Sequence, residues 1–268
     1  MRGNDAPCLL NLPPLDTLFL IPFLTGLPLV VLLPLLGTLL RLREEWLATL
    51  GLAHLAGASG LAGMAVGLPV VQGAPLGALL GALIKSRSGG GNSVYAVMIL
   101  LGWTLTLLIA ANTALGDALA HAVVDGQLYF AGSRELIAAV LVGALGLAAL
   151  PWLTPRLIRA HLFPQHEIAN RLPAWRWHLG FDLLVALAIA VGTATLGLMA
   201  TFALVFLPAW IAFRIAPNWR RGNLLAAAIG ALAYLLAFGF ALWLDQPFGP
   251  VLVAVLGVSF SVSLLLRR

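Results

Sequence analysis

Few side chains in this sequence could bind a metal ion or move a proton, and they fall at a handful of positions. His54 stands in a 22-residue stretch, residues 46–67, that holds no Asp, Glu, Lys or Arg. As a helix rising about 1.5 Å per residue, that stretch crosses the roughly 30 Å hydrocarbon core of a bilayer. An imidazole inside it is either a ligand on a transport pathway or a hydrogen-bonding group between helices. Asp117 and His121 are four apart, so a helix would set a carboxylate and an imidazole on one face. That pair suits a first-row metal, with Asp125 as a further oxygen donor; the competing reading is a solvated outer loop. His161, His166 and Glu167 also cluster, but among Arg156, Arg159, Arg171 and Arg176, which favours a solvated docking surface over a metal site. Asp182 sits one turn inside an apolar segment. Pairing with Arg176 or His178, a helix cap or a place on a pathway would each account for it. Asp245, shortly before Pro247 and Gly249, reads as a turn former.

Other chemistries lack their motifs. There is no Gly-x-x-x-x-Gly-Lys-Ser/Thr, because Lys85 follows Ile84, so any ATP hydrolysis is expected on a separate protein. Neither Gly-x-Ser-x-Gly nor His-Glu-x-x-His occurs, which leaves hydrolysis without a motif. The single cysteine, Cys8, gives no disulfide within the chain, and it lies too near the start to follow a signal-peptide apolar region.

The elements that must position these residues are membrane helices. Apolar residues make up 61% of the chain and charged residues 9%, with a mean hydropathy of +1.01. That is too little charge to cover a water-soluble domain, and the continuous apolar runs exclude a membrane β-barrel. The expectation is one all-α polytopic bundle over residues 1–268, with 1–14 an interfacial segment. Nine crossings are read at about 16–40, 46–67, 69–84, 95–114, 136–153, 178–194, 197–213, 222–244 and 249–266. Eight or ten remain open, depending on the break near Gly197 and on whether 115–130 is re-entrant. Residues 85–94, rich in Gly and Ser, read as a flexible loop, and 154–177 as a long polar stretch. Gly73, Gly77 and Gly81, four apart, predict a face packed tightly on another helix, within the protomer or across a dimer. With the N-terminus outside, 13 of the 15 Lys and Arg fall in inside loops, leaving only Arg2 and Arg134 outside. The positive-inside rule supports that orientation. The net charge of +5 then reflects basic inner loops rather than a nucleic-acid partner.

Four stretches together resemble the permease subunits of zinc- and manganese-type ABC importers. Residues 42–58, Leu-Arg-Glu-Glu-Trp-Leu-Ala-Thr-Leu-Gly-Leu-Ala-His54-Leu-Ala-Gly-Ala, are similar to the family's second helix. Gly126-Gln-Leu-Tyr-Phe-Ala-Gly-Ser-Arg-Glu-Leu136 resembles the segment before its fifth helix. Leu162-Phe-Pro-Gln-His-Glu-Ile-Ala-Asn-Arg-Leu172 falls where the family docks on its ATPase. Trp243-Leu-Asp-Gln-Pro-Phe-Gly-Pro250 resembles the approach to its last helix.

The resemblance implies an ABC importer permease of the inner (plasma) membrane, working as a homodimer and moving a divalent metal, zinc or manganese. It implies a cytoplasmic ATPase, an outside metal-binding protein and no permanently bound cofactor. By its positions, His54 would serve the metal path, and Phe163, His166, Glu167 and Arg171 the ATPase contact. Gly116-Asp117-Ala-Leu-Ala-His121-Ala resembles the family's metal core but at a different place along the chain, with Asp125 nearby as a further ligand. One departure stands out: the family carries an Asp four residues before the second-helix His, and here that residue is Leu50. A chelated metal or another small molecule is therefore the alternative cargo, and a non-transporting membrane scaffold the alternative class. A neighbouring ATPase gene and binding-protein gene would separate transporter from scaffold.

Overall fold

Inside a bilayer every backbone N–H and C=O must pair within its own segment, so long apolar runs become helices. The computed structural model describes residues 17–113, 126, 128–173 and 175–265, and these are helical with no strand among them. The helices are α1 (Thr17–Leu42), α2 (Trp46–Ala65), α3 (Val70–Ser88), α4 (Asn92–Ala111) and α5 (Ser133–Leu162). After them come α6 (Pro164–Ala169), α7 (Trp175–Thr195), α8 (Leu198–Ile215), α9 (Trp219–Leu244) and α10 (Phe248–Leu265). A single 3₁₀ turn, Leu128–Phe130, precedes α5.

Among the described residues nine of these helices have 18 residues or more, and eight are apolar and long enough to cross a membrane by themselves. The ninth, α3, runs antiparallel to α2 along its whole length. Gly63 meets Gly73 at one end, and Lys85 meets Glu45 at the other. The expected glycine ladder makes this seam, and it lies within the protomer. A Cβ added at Gly73 would sit 2.8 Å from the Ser59 carbonyl oxygen, and one at Gly81 2.9 Å from Leu52 Cδ2. At Gly77 it would run into the Leu55 carbonyl. The Gly77 N–H also donates to Ser59 Oγ at 3.0 Å. Small residues here let two backbones approach as no larger side chain would allow.

The remaining helices surround this pair. α7 packs on α2, α3 and α5, while α1 packs on α5, α8 and α9. Leu29, Leu33, Leu36, Ile189, Leu204 and Tyr234 are among the fully enclosed side chains. By contrast α4, α5 and α10 present Leu100, Leu141 and Val258 outward, as lipid-facing helices do. The break between α7 and α8 is real: Gly197 takes φ 95°, open to a residue without Cβ, and two helices result.

One expectation about a loop needs correction, and the polar stretch gains its structure. Residues 85–94 are not a flexible loop throughout, for α3 continues to Ser88 and α4 starts at Asn92. The helix carries on because Lys85 is buried on acidic partners rather than solvated. Only the glycine turn between them, with φ of 76°, 73° and 109° at Gly89, Gly90 and Gly91, departs from the helix. Likewise the polar stretch 154–177 is largely helical: α5 runs through Pro151 and Pro155 to Leu162, and α6 and the start of α7 fill much of the remainder. Asp245 does form a turn, capping α9 in the left-handed region at φ 52°.

Candidate translocation site

His54 is the one ionisable residue in α2 and is 6% exposed. Its Nδ1 lies 2.9 Å from the Leu50 carbonyl oxygen, and a carbonyl only accepts, so Nδ1 carries the proton. That fixes the tautomer and leaves the Nε2 lone pair, which makes no hydrogen bond among the described residues, as the atom able to hold a metal. The backbone of the residue that replaces the expected Asp thus orients the imidazole. Gly102 of α4 closes over it: a Cβ there would lie 2.7 Å from His54 Cβ. Trp103 meets the imidazole edge to face, with ring centroids 5.8 Å apart. The position is eight residues, about 12 Å, from the basic end of α2.

Asp117, His121 and Asp125 lie outside the described residues. Among the described residues no group of three His, Cys, Asp or Glu side chains could enclose a metal ion. At the end of α2 opposite the basic one, a cavity of about 390 Å³ is lined by Met64, Leu68, Val70, Phe130, Glu135 and Ala194, among others. Glu135 Oε2 accepts the Gly132 N–H at 2.9 Å and so caps α5, as the carboxylate of a capping box does. Met64 is ten residues from His54, about 15 Å along the helix.

At the basic end, four charged side chains from distant parts of the chain form one closed network. Lys85 Nζ sits 2.8 Å from Glu45 Oε2 and 2.5 Å from Asp182 Oδ1. Arg43 joins the same acids, with Nε 2.8 Å from Glu45 and Nη1 3.2 Å from Asp182. The Arg43 guanidinium also lies over the Phe181 ring at 5.3 Å. Two acids and two bases balance, which is what allows Lys85 and Asp182, each 4% exposed, to be buried. This corrects the expected partners of Asp182: they are Arg43 and Lys85, not Arg176 or His178. Sequence reasoning missed the network; the faint signal was an Asp left one turn inside an apolar segment.

Below α7 lies the short helix α6. Glu167 is tied inward rather than left as open docking surface: Oε1 accepts the Trp177 indole N–H at 2.9 Å, and His178 Nε2 is 3.6 Å from Oε2. The turn after α6 closes through the Leu172 N–H onto the Glu167 carbonyl at 3.0 Å, with Arg171 in the left-handed region at φ 48°. His166 falls within α6. Around it Leu162, Phe163, Leu172 and Trp175 are exposed apolar side chains on a basic segment. His178 and Asp182, four apart on α7, connect the α6 brace to the charge network.

A probable metal transport system membrane protein from Chlamydia muridarum is 24% identical over 143 residues, covering 53% of this chain and 49% of that protein. One from Chlamydia trachomatis serovar D is 29% identical over 147 residues, covering 54% and 47%. The aligned region thus spans about half the length of these curated relatives. Among solved structures, PsaBC from Streptococcus pneumoniae in complex with Fab has a TM-score of 0.80 at 17% identity, covering 92% of this chain and 91% of that one. An inward-facing putative metal-chelate type ABC transporter has a TM-score of 0.73 at 15% identity, covering 94% and 89%. Both share the fold. The sequence profile of the ABC 3 transport family matches residues 16–267, nearly the whole chain, and the protein belongs to that family.

Proposed function

We propose that this chain is the membrane permease of an ABC importer that carries a divalent first-row metal ion, zinc or manganese, across the inner membrane. The observation that carries the reading is His54: a buried imidazole about 12 Å along α2 from its basic end, its Nδ1 on the Leu50 carbonyl and its Nε2 without a hydrogen bond among the described residues. Such a nitrogen suits Zn²⁺ or Mn²⁺ as cargo. One ligand per protomer gives a weak site, as transport requires, and a second copy would supply another imidazole. The homodimer, a separate cytoplasmic ATPase and an outside metal-binding protein are parts of this proposal. The Chlamydia relatives, named as metal transport system membrane proteins, support it.

In this reading cargo enters by the cavity near Met64 and Glu135 and descends α2 to His54. The ATPase presses on α6 beside Phe163, His166 and Arg171. Glu167 passes the push to α7 through Trp177 and His178, and Asp182 passes it to α3 and the α1–α2 turn. Cargo moves only if it binds the inward and outward states differently. A chelated metal is the second reading, favoured by Leu50 in place of an acid.

Uptake of Zn²⁺ and Mn²⁺ by proteoliposomes holding the permease, its ATPase and its binding protein tests the proposal. His54→Ala should lower uptake at least about tenfold, since even outer-shell ligand partners are worth 10–100-fold. Leu50→Asp should tighten metal binding. If both variants transport like the parent, His54 is a packing residue and the proposal fails.

A further inference from the structure

The basic end carries another cavity, lined by none of the residues of the charge network and not by His54. It has a volume of about 390 Å³ and lies between α1, α5 and α9. Its floor is apolar, built by Leu35, Leu39, Leu147 and Leu150. Its rim is polar and carries one full positive charge, with Trp219, Arg220 and Asn223 in the first turns of α9. No lining residue is acidic, and Arg220 has no ion-pair partner among the described residues.

Two rim groups are incompletely satisfied. Trp219 Nε1 and Asn223 Oδ1 are both buried, and neither has a hydrogen-bond partner among the described residues. Polar atoms in that condition are costly in a finished fold, and an occupant that supplies or rearranges partners offsets the cost. The groove therefore offers an apolar slot, then amide and indole groups at its rim, then arginine. That order matches the order of an acyl chain, a glycerol ester and a phosphate. A free phosphate would leave the leucine floor empty, and a neutral lipid would leave Arg220 unmatched.

We propose that this groove binds an anionic phospholipid of the inner leaflet, its acyl chain along Leu39 and Leu150 and its phosphate at Arg220. Basic recesses between membrane helices on the cytoplasmic side hold such head groups through the same pairing of charge. The inference stands on the groove alone and does not depend on which cargo the permease carries.

The test is native mass spectrometry of the purified full chain from nanodiscs of phosphatidylcholine mixed with phosphatidylglycerol. The parent should retain phosphatidylglycerol selectively. Arg220→Gln should lower that selectivity about fivefold, the effect of one arginine near a charged bilayer surface. Leu147→Trp, which fills the groove from an exposed position, should abolish retention while the melting temperature is held. Arg134→Gln, at the opposite end, should change neither. Equal retention by parent, Arg220→Gln and Leu147→Trp would overturn the proposal. So would displacement of the lipid by inorganic phosphate alone. Protection of a cysteine placed at Leu147 by added ATPase in lipid-free detergent would also overturn it, since the groove would then be a protein contact.

Discussion

The buried charge network makes a quantitative prediction that separates it from ordinary surface ion pairs. In the parent, Arg43 and Lys85 face Glu45 and Asp182, so the enclosed charge sums to zero. Asp182→Asn keeps the size of the side chain but leaves two cations against Glu45 alone. Breaking a buried pair by removing one partner costs about 3–5 kcal/mol. The lower end applies because Glu45 still lies 2.8 Å from Lys85. A loss of about 3 kcal/mol should lower the melting temperature by roughly 6–12 °C for a chain of this size. Lys85→Met should cost a similar amount, now from an excess of acid. The double variant restores neutrality, leaving Arg43 on Glu45, and should melt within a few degrees of the parent, since a buried pair replaced by apolar groups is often neutral. The assay is a double-mutant cycle read by thermal unfolding of the purified protein in detergent, with an expected coupling of about 5 kcal/mol, the two single losses of about 3 kcal/mol each less the roughly 1 kcal/mol lost by the double variant. If the double variant melts at the sum of the two single losses, the four residues do not act as one network and the reasoning is wrong.

Other perturbations follow from single contacts. Gly77→Leu would drive a side chain into the Leu55 backbone, and overpacking costs about 1–3 kcal/mol or more; unchanged assembly and melting would mean that the α2–α3 seam is loose. Glu167→Ala should uncouple the ATPase from the permease without preventing membrane insertion, because it releases α6 from Trp177; undiminished stimulation of ATP hydrolysis would exclude the brace. Tyr129, in the short turn before α5, has its phenol pushed up to about 12 by burial, and its hydroxyl has no hydrogen-bond partner among the described residues. The unfolded chain ionises first, near 10, so this residue's contribution to stability is full below that value and falls away as pH rises toward 12. Tyr129→Phe should leave stability at neutral pH unchanged or improved and should blunt the alkaline loss, measured by melting across that range.

The helices and the glycine seam were legible because lipid leaves the backbone no other partner and because four-residue glycine spacing has one mechanical meaning. His54 was legible as a residue out of keeping with its surroundings, but its tautomer was not, since that depends on the Leu50 carbonyl coming within reach. The charge network was hidden for a different reason. Arg43 and Asp182 lie 139 positions apart, and nothing local marks either as the partner of the other. The same ignorance produced the error at 85–94: a Lys among Ser and Gly reads as solvated until its acids are found. At 154–177 the charges mark a polar stretch but not its helices, and α5 runs on through Pro155 to Leu162.

The α3 helix has a consequence for how the protein is made. Alone it would present bare glycine backbone, Gln72 and Lys85 to hydrocarbon, and its sequence is too polar to enter by itself. It must go in leaning on α2, as a hairpin, with Glu45 the first counter-charge to meet Lys85. The second, Asp182, is synthesised 97 residues later. Through the synthesis of α4 to α6 the nascent chain therefore holds a half-neutralised lysine at the membrane surface. The arrival of α7 is the step that locks the early half of the protein in place, so a ribosome halted before Asp182 should leave α3 able to slip back into water.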